Sequence, residues 1–184
     1  MKTPAKYRNM EFRGLIGELM ILFQPKSYLE LGVKNGYTFN VLSPLVNNAY
    51  AVDIKQQKSV IINPNVEFFE CSTAKFFENF SHRKEKIDFI FIDADHKKES
   101  VICDIAIAKD LVTPFTGLIF AHDTFPINEE LTSQGRCHNA WEAIRDIKQY
   151  CQQWELEILT LPGPWAGLTI IRYTPENKYG WMDL

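Results

Sequence analysis

The stretch Glu30-Leu31-Gly32-Val33-Lys34-Asn35-Gly36-Tyr37-Thr38 decides how this chain is read. It continues Ser27-Tyr28-Leu29-Glu30-Leu31, a short apolar run that reads as a first strand. It leads into residues 37–45, which read as a helix. The glycines between them suit a tight turn and a close approach of a ligand to the backbone. The helix N-terminus behind the turn offers N–H groups and a positive dipole end to a carboxylate. Gly32 and Gly36 also fit an ordinary strand-to-helix turn with no ligand, so the motif needs a second signal.

Asp53 is that signal. It ends a second strand over residues 49–54, about twenty residues after the glycine turn. A carboxylate at that place accepts hydrogen bonds from ribose hydroxyls. A nicotinamide fingerprint starting at Gly32 would need two further glycines, but Lys34 and Tyr37 hold those places.

Working outward, the same alternation continues. Residues 10–23 carry Phe12, Leu15, Ile16, Leu19, Met20 and Phe23 at helical spacing, and Pro25 stops the helix. Strands are expected over 66–70, 87–92 and 117–121, with helices over 73–80, 97–112 and 138–154. Residues 155–161 and 167–173 flank a Pro-Gly-Pro turn and read as a closing hairpin. The expectation is an α/β fold: a doubly wound, Rossmann-like, seven-stranded sheet ending in an antiparallel hairpin. One domain is expected over residues 1–184, with a helical segment in 1–25 and a peripheral polar tail in 174–184.

Two strand ends gather chemistry. Ile92-Asp93-Ala94-Asp95-His96 follows the fourth strand, and Ala121-His122-Asp123-Thr124 follows the fifth. Ligands bind at the carboxyl ends of strands in open α/β sheets, so Asp93, His96, His122 and Asp123 should face one crevice. Carboxylate and imidazole groups clustered this way suit a divalent cation. Plainer roles exist: Asp93 and Asp95 suit helix capping, His122 a structural hydrogen bond, and Thr124 a turn cap. Asp88 and Asp104 read as structural, and Trp141, Trp154 and Trp165 as packing residues.

Glu30-x-Gly32-x-x-x-Gly36, Asp53, residues 92–96 and residues 121–124 together resemble class I S-adenosylmethionine (SAM)-dependent O-methyltransferases. The nearest likeness is to small-molecule and sugar O-methyltransferases of the macrocin O-methyltransferase type, over residues 27–173. The resemblance implies SAM as cofactor, held by Glu30, Gly32, Gly36, Tyr37, Thr38, Asp53, Cys71, Ser72 and Asp93. It implies Mg²⁺ or another divalent cation on Asp93 and Asp123, with His122 where the family often has a carboxylate. It places a catalytic base at His96 beside Asp93, and an imidazole suits that role. The acceptor it implies is a small-molecule or sugar hydroxyl. A SAM-binding interaction protein that has lost the chemistry is the alternative, and aminopropyl transfer is a third reading.

Composition narrows the partners. The formal charge is −3, so no global basic field attracts nucleic acid or an anionic membrane. No Asn/Asp-Pro-Pro-Tyr/Phe motif follows the fourth strand. No apolar run approaches the roughly eighteen residues of a membrane span, and residues 1–8 contain no apolar leader core. Cys71, Cys103, Cys137 and Cys151 are scattered without zinc spacing, which suits a reduced, cytoplasmic protein. A short N-terminal segment and a lid over 125–136 leave room for a homo-oligomer to complete the site.

Overall fold

The structure is a computed structural model and describes residues 11–162 and 166–175. Its chain order is α1 (Glu11–Phe23), β1 (Ser27–Leu31), α2 (Phe39–Leu42), β2 (Asn48–Asp53), β3 (Val66–Glu70), α3 (Thr73–Phe80), β4 (Phe89–Ile92), α4 (Lys98–Leu111), β5 (Leu118–His122), α5 (Ala140–Gln149), β6 (Leu156–Leu161) and β7 (Leu168–Tyr173).

The seven strands form one sheet in the order β3-β2-β1-β4-β5-β7-β6. The first five are mutually parallel, and β7 runs antiparallel between β5 and β6. The strand order, and not the strand direction, reverses between β1 and β4, the switch point at which such sheets open a crevice. β1 is buried at all five residues and β4 at all four, as central strands covered on both faces are.

Alternation along the strands builds two cores. Leu29, Leu31, Ile90, Ile92 and Ile119 face α3, α4 and α5, where Phe76, Ile105, Ala108, Ile144 and Ile147 cover them. Tyr28, Phe89, Phe91 and Phe120 face the other way, onto Ile16 and Met20 of α1 and Phe39 and Leu42 of α2. The amphipathic stripe of α1 is therefore a sheet cover that ends beside the crevice.

Several boundaries differ from expectation for local reasons. The helix expected over 37–45 is the single turn α2 followed by a 3₁₀ turn at Ser43–Leu45, because Pro44 has no N–H to continue the α ladder. The helix expected over 138–154 is shorter, since His138 sits at φ +47 and the chain leaves the helix at Tyr150. Ile87 makes only an isolated bridge to Val112. β5 runs one residue further and takes in His122. Residues 1–10 of the N-terminal segment, Gly163, Pro164, Trp165 and residues 176–184 of the expected tail lie outside the described residues. Among the described residues, no helix is long and apolar enough to cross a membrane.

The two aspartates expected to be structural are so. Asp88 accepts from the Lys26 and Ser27 N–H groups (2.7 and 3.2 Å) and from the Thr113 hydroxyl (2.8 Å), tying β1 to β4 at their starts. Asp104 is buried on α4, and burial pushes its carboxyl up to about 6 against the opposing hydrogen bond from Thr73. A carboxyl held above its unfolded value disfavours folding once it ionises. The penalty is absent in acid, grows as pH rises toward 6, and is complete above it, where two units correspond to about 3 kcal/mol. Asp104→Asn should therefore raise unfolding stability at pH 7.5 by about 1–3 kcal/mol and leave it unchanged near pH 4, as urea unfolding at the two pH values would show.

Candidate active site

The crevice is a cleft of about 800 Å³ at the carboxyl ends of β1, β2, β4 and β5. That volume lies within the range of cofactor sites. Gly32, Lys34, Tyr37 and Thr38 form one wall, Asp53 and Ile54 the rim beside it, and Cys71 and Ser72 the far side. Asp93, His96, His122 and Asp123 close the opposite end.

The glycine turn is held by the fold itself. Gly32 has φ +88, and a Cβ there would lie 2.3 Å from the Asp93 carbonyl oxygen and 2.5 Å from Ala94 Cα. The glycine thus lets the chain leaving β4 pass against it. Gly36 (φ +75) turns the chain beside the Asn40 amide, between Asn35 and Tyr37 of the cleft wall. Asp53 Oδ2 accepts from the Lys34 N–H at 2.7 Å, which ties the turn to β2. Its Oδ1 accepts from Lys55 N–H at 3.2 Å and stays on the cleft side of the chain with lone pairs to spare.

The other expected residues have distinct local duties. The Ser72 hydroxyl caps α3 by accepting from the Lys75 N–H at 3.3 Å, which leaves its O–H to donate into the cleft. The Thr38 side chain makes no capping bond to α2. Tyr37 is exposed, and its carbonyl accepts from Arg13 Nη1 at 3.2 Å. Glu30 is buried and accepts from the Tyr28 hydroxyl at 2.6 Å. Burial holds its carboxyl well above the ordinary range, against the Tyr28 bond and with Asp93 adding to the rise.

At the other end, four side chains from two strand ends converge. His96 Nδ1–H donates to the Arg136 carbonyl, which turns Nε2 toward Asp93 Oδ1 (3.3 Å) and Asp123 Oδ2 (3.2 Å). His122 Nδ1 lies 3.3 Å from Asp93 Oδ1 and 3.4 Å from Asp123 Oδ1. Burial opposes ionisation of Asp93, but His122 and His96 outweigh it and bring the carboxyl down to about 2. The bond to Asp93 leads in raising His96 to about 9, against its partial burial. His122 is also raised, its acidic neighbours overcoming burial. Asp123 sits at φ +59, a left-handed conformation tolerated by Asp and concentrated at functional sites.

The plainer roles divide. Asp95 accepts from the Lys97 N–H (3.3 Å) and the Ser100 hydroxyl (2.9 Å), so it organises the start of α4, whereas Asp93 does not cap. Thr124 serves the turn, bonding the Ala121 carbonyl and receiving the Thr169 hydroxyl at 2.8 Å.

Four contributors were not legible in the sequence. Phe12 lies on His122 with ring centroids 4.4 Å apart, and its neighbour Arg13 lines the cleft with a buried Nε that has no hydrogen-bond partner. Arg136 and Cys137, in the loop before α5, reach the cluster through the His96 bond and a Cys137 thiol donating to Asp123 Oδ1 at 3.6 Å. In the sequence Phe12 reads only as part of the apolar stripe of α1, and Arg136 only as the end of the lid over 125–136.

A family of proteins described as a methyltransferase domain matches residues 29–124, just over half of the chain. The chain belongs to the methyltransferase-domain family. No curated protein matches this methyltransferase domain. Among solved structures, it is similar to an O-methyltransferase from Bacillus cereus in complex with SAH, at 17% identity and TM-score 0.68, covering 91% of this chain and 83% of that one. TomG, an O-methyltransferase from Streptomyces achromogenes involved in tomaymycin synthesis and solved with SAM, gives 15% identity, TM-score 0.68 and coverage of 94% and 82%. MycE, a methyltransferase of the mycinamycin biosynthetic pathway in complex with Mg, SAH and mycinamycin VI, gives 16% identity, TM-score 0.64 and coverage of 91% and 50%. These likenesses establish the fold: a seven-stranded Rossmann-like sheet with antiparallel C-terminal strands.

Two positive-φ glycines of this methyltransferase separate strain from clash. At Gly135 (φ +92) an added Cβ would meet nothing within 4 Å, whereas at Gly32 it would meet backbone. Gly135→Ala should lose about 1–2 kcal/mol, the left-handed penalty alone. Gly32→Ala should lose about 3 kcal/mol or more, since backbone must also move. Urea midpoints of the two variants give the comparison.

Proposed function

We propose that this methyltransferase moves the methyl group of SAM to a hydroxyl oxygen of a small molecule or sugar. One observation carries the reading: a single cleft joins the Asp53-tethered glycine turn to the Asp93–His96–His122–Asp123 cluster. The macrocin-type resemblance of residues 92–96 and 121–124 supports a small-molecule acceptor. So does the mycinamycin bound by MycE. The same reading takes residues 1–184 as one cytoplasmic methyltransferase domain, its cleft either open or completed by a neighbouring subunit. The four cysteines are free, as a reduced compartment leaves them.

SAM supplies a methyl group on a sulfonium, and the sulfur leaves with the electrons of the breaking C–S bond. The chain's residues bind and orient. Asp53 Oδ1 and Oδ2 accept from ribose hydroxyls, the Gly32–Thr38 backbone receives the methionyl end, and exposed Ile54 offers an apolar face to the base. Glu30 and Asp93 line the same cleft and would face the methionyl end. The attacking oxygen is held in line by the ends of β4 and β5. His96 Nε2 takes the proton that this oxygen gives up, while the Arg136 carbonyl holds the ring from behind.

The donor chemistry of Asp93, His122 and Asp123 fits a divalent cation, one ligand atom from each lying within 4.8 Å of the others. Such a cation supplies positive charge to the two carboxylates, which otherwise hold a proton on His96, and lowers the pKa of an acceptor hydroxyl. One feature favours the alternative of a SAM-binding protein without turnover: both histidines already lie as counter-charges on the carboxylates.

Calorimetric titration of SAM tests the cofactor half of the reading. The chain should bind SAM, and Asp53→Ala should weaken binding about 10–100-fold, the loss of one or two charged hydrogen bonds. Absence of binding would sink the reading. With an acceptor in hand, His96→Ala should keep SAM binding and lose about 10²–10⁴-fold in turnover. Near-normal turnover would remove His96 from the mechanism.

A further inference from the structure

We infer that the Asp93–His122–Asp123 site takes a first-row transition dication such as Zn²⁺, Co²⁺ or Ni²⁺ in preference to Mg²⁺. The inference rests on the methyl-transfer reading of the cleft and specifies the ion that this site is built for.

The first ground is donor type. Mg²⁺ takes oxygen ligands and gives up water reluctantly, whereas imidazole nitrogen suits zinc, cobalt and nickel. Here one of three converging donors is an imidazole, and all three ligand atoms lie within 4.8 Å of one another.

The second ground is that the imidazole is fixed. Phe12 covers the His122 ring at 4.4 Å and Phe91 stands 6.1 Å away, and the two phenyl rings stack on each other at 5.5 Å. To let a water replace it on an ion, His122 would have to leave this aromatic packing.

The third ground is what its nitrogen faces. Nδ1 points at Asp93 Oδ1 and Asp123 Oδ1, 3.3 and 3.4 Å away. Ionised carboxylates only accept, so a positive particle belongs between them and the ring.

The fourth ground is the outer support. His96 Nε2 lies 3.2 Å from the other Asp123 oxygen, and its Nδ1–H is anchored on the Arg136 carbonyl. The Cys137 thiol donates to Asp123 Oδ1 at 3.6 Å. Outer partners of this kind hold ligating carboxylates in one orientation.

The test uses the full chain, free of any histidine tag, in a Cys103→Ser background that removes the exposed thiol. CoCl₂ and MgCl₂ are titrated separately by calorimetry, the cobalt titration is followed in the visible spectrum, and SAM binding is measured on each sample. Co²⁺ should bind about 100-fold or more tighter than Mg²⁺, with visible ligand-field bands. Most oxygen sites favour Co²⁺ to some degree, so the decisive quantity is the change on His122→Asp. That variant should weaken Co²⁺, strengthen Mg²⁺, narrow the preference at least about tenfold, and alter the cobalt bands.

An unchanged preference and spectrum in His122→Asp, tighter Mg²⁺ binding by the parent, or a thiolate charge-transfer band in place of the His122-dependent one would overturn the inference. Binding of neither ion would also overturn it and leave His122 as a protonated counter-charge. In each of these cases intact SAM binding keeps the methyl-transfer reading standing, while loss of SAM binding by the parent fails that reading itself.

Discussion

The backbone of Asp93 and Ala94 passes so close to Gly32 that no side chain fits between them. Everything in the cleft depends on that approach. It brings the ends of β1 and β4 together at the switch point, with the Asp93 N–H donating to the Leu31 carbonyl at 2.9 Å. The neighbouring strands then bring their own ends to the same level. Asp53 arrives from β2 on one side, and His122 and Asp123 from β5 on the other. Residues far apart in the chain share one cleft because the sheet order, and not the chain order, arranges them.

The cleft is acidic, and the chain manages this with local counter-charge. Asp93 would resist ionisation where it lies, yet two imidazoles keep it ionised. Glu30 has no such partner beyond Tyr28 and the more distant Arg13, and burial keeps its proton bound more firmly. Two carboxyls thus hold their protons with different firmness, because two imidazoles face Asp93 whereas burial dominates at Glu30. This is the kind of divergence by which one site assigns different roles to the same chemical group.

Local patterns carried much of this into the sequence. Short apolar-rich segments and the turns between them marked the strands, and the residues just beyond β4 and β5 could be assigned to one crevice because parallel sheets place ligands at those ends. Gly36 shows the limit: its positive φ and its contact with Asn40 explain the residue without any ligand, and spacing alone does not distinguish the two. Phe12, Arg136 and Cys137 show another. Each reaches the cluster across a turn or a layer, and periodicity carries no record of such contacts. Ser72 stood at the expected place, but its hydroxyl serves the helix behind it.

The insertion of β7 between β5 and β6 has a consequence for how the molecule is assembled. β5 carries His122, and its second neighbour is contributed by residues 168–173, made well after it. Leu168 pairs with His122, and Thr169 bonds Thr124 just beyond. A nascent chain that has emerged only as far as β6 therefore presents Leu118–His122 as a bare, apolar sheet edge, open to wrong pairing. The half of the cleft that bears the imidazoles stays unfinished until that late strand slides in. Order of synthesis and order of assembly diverge at this one place, and a holding chaperone would have its use there.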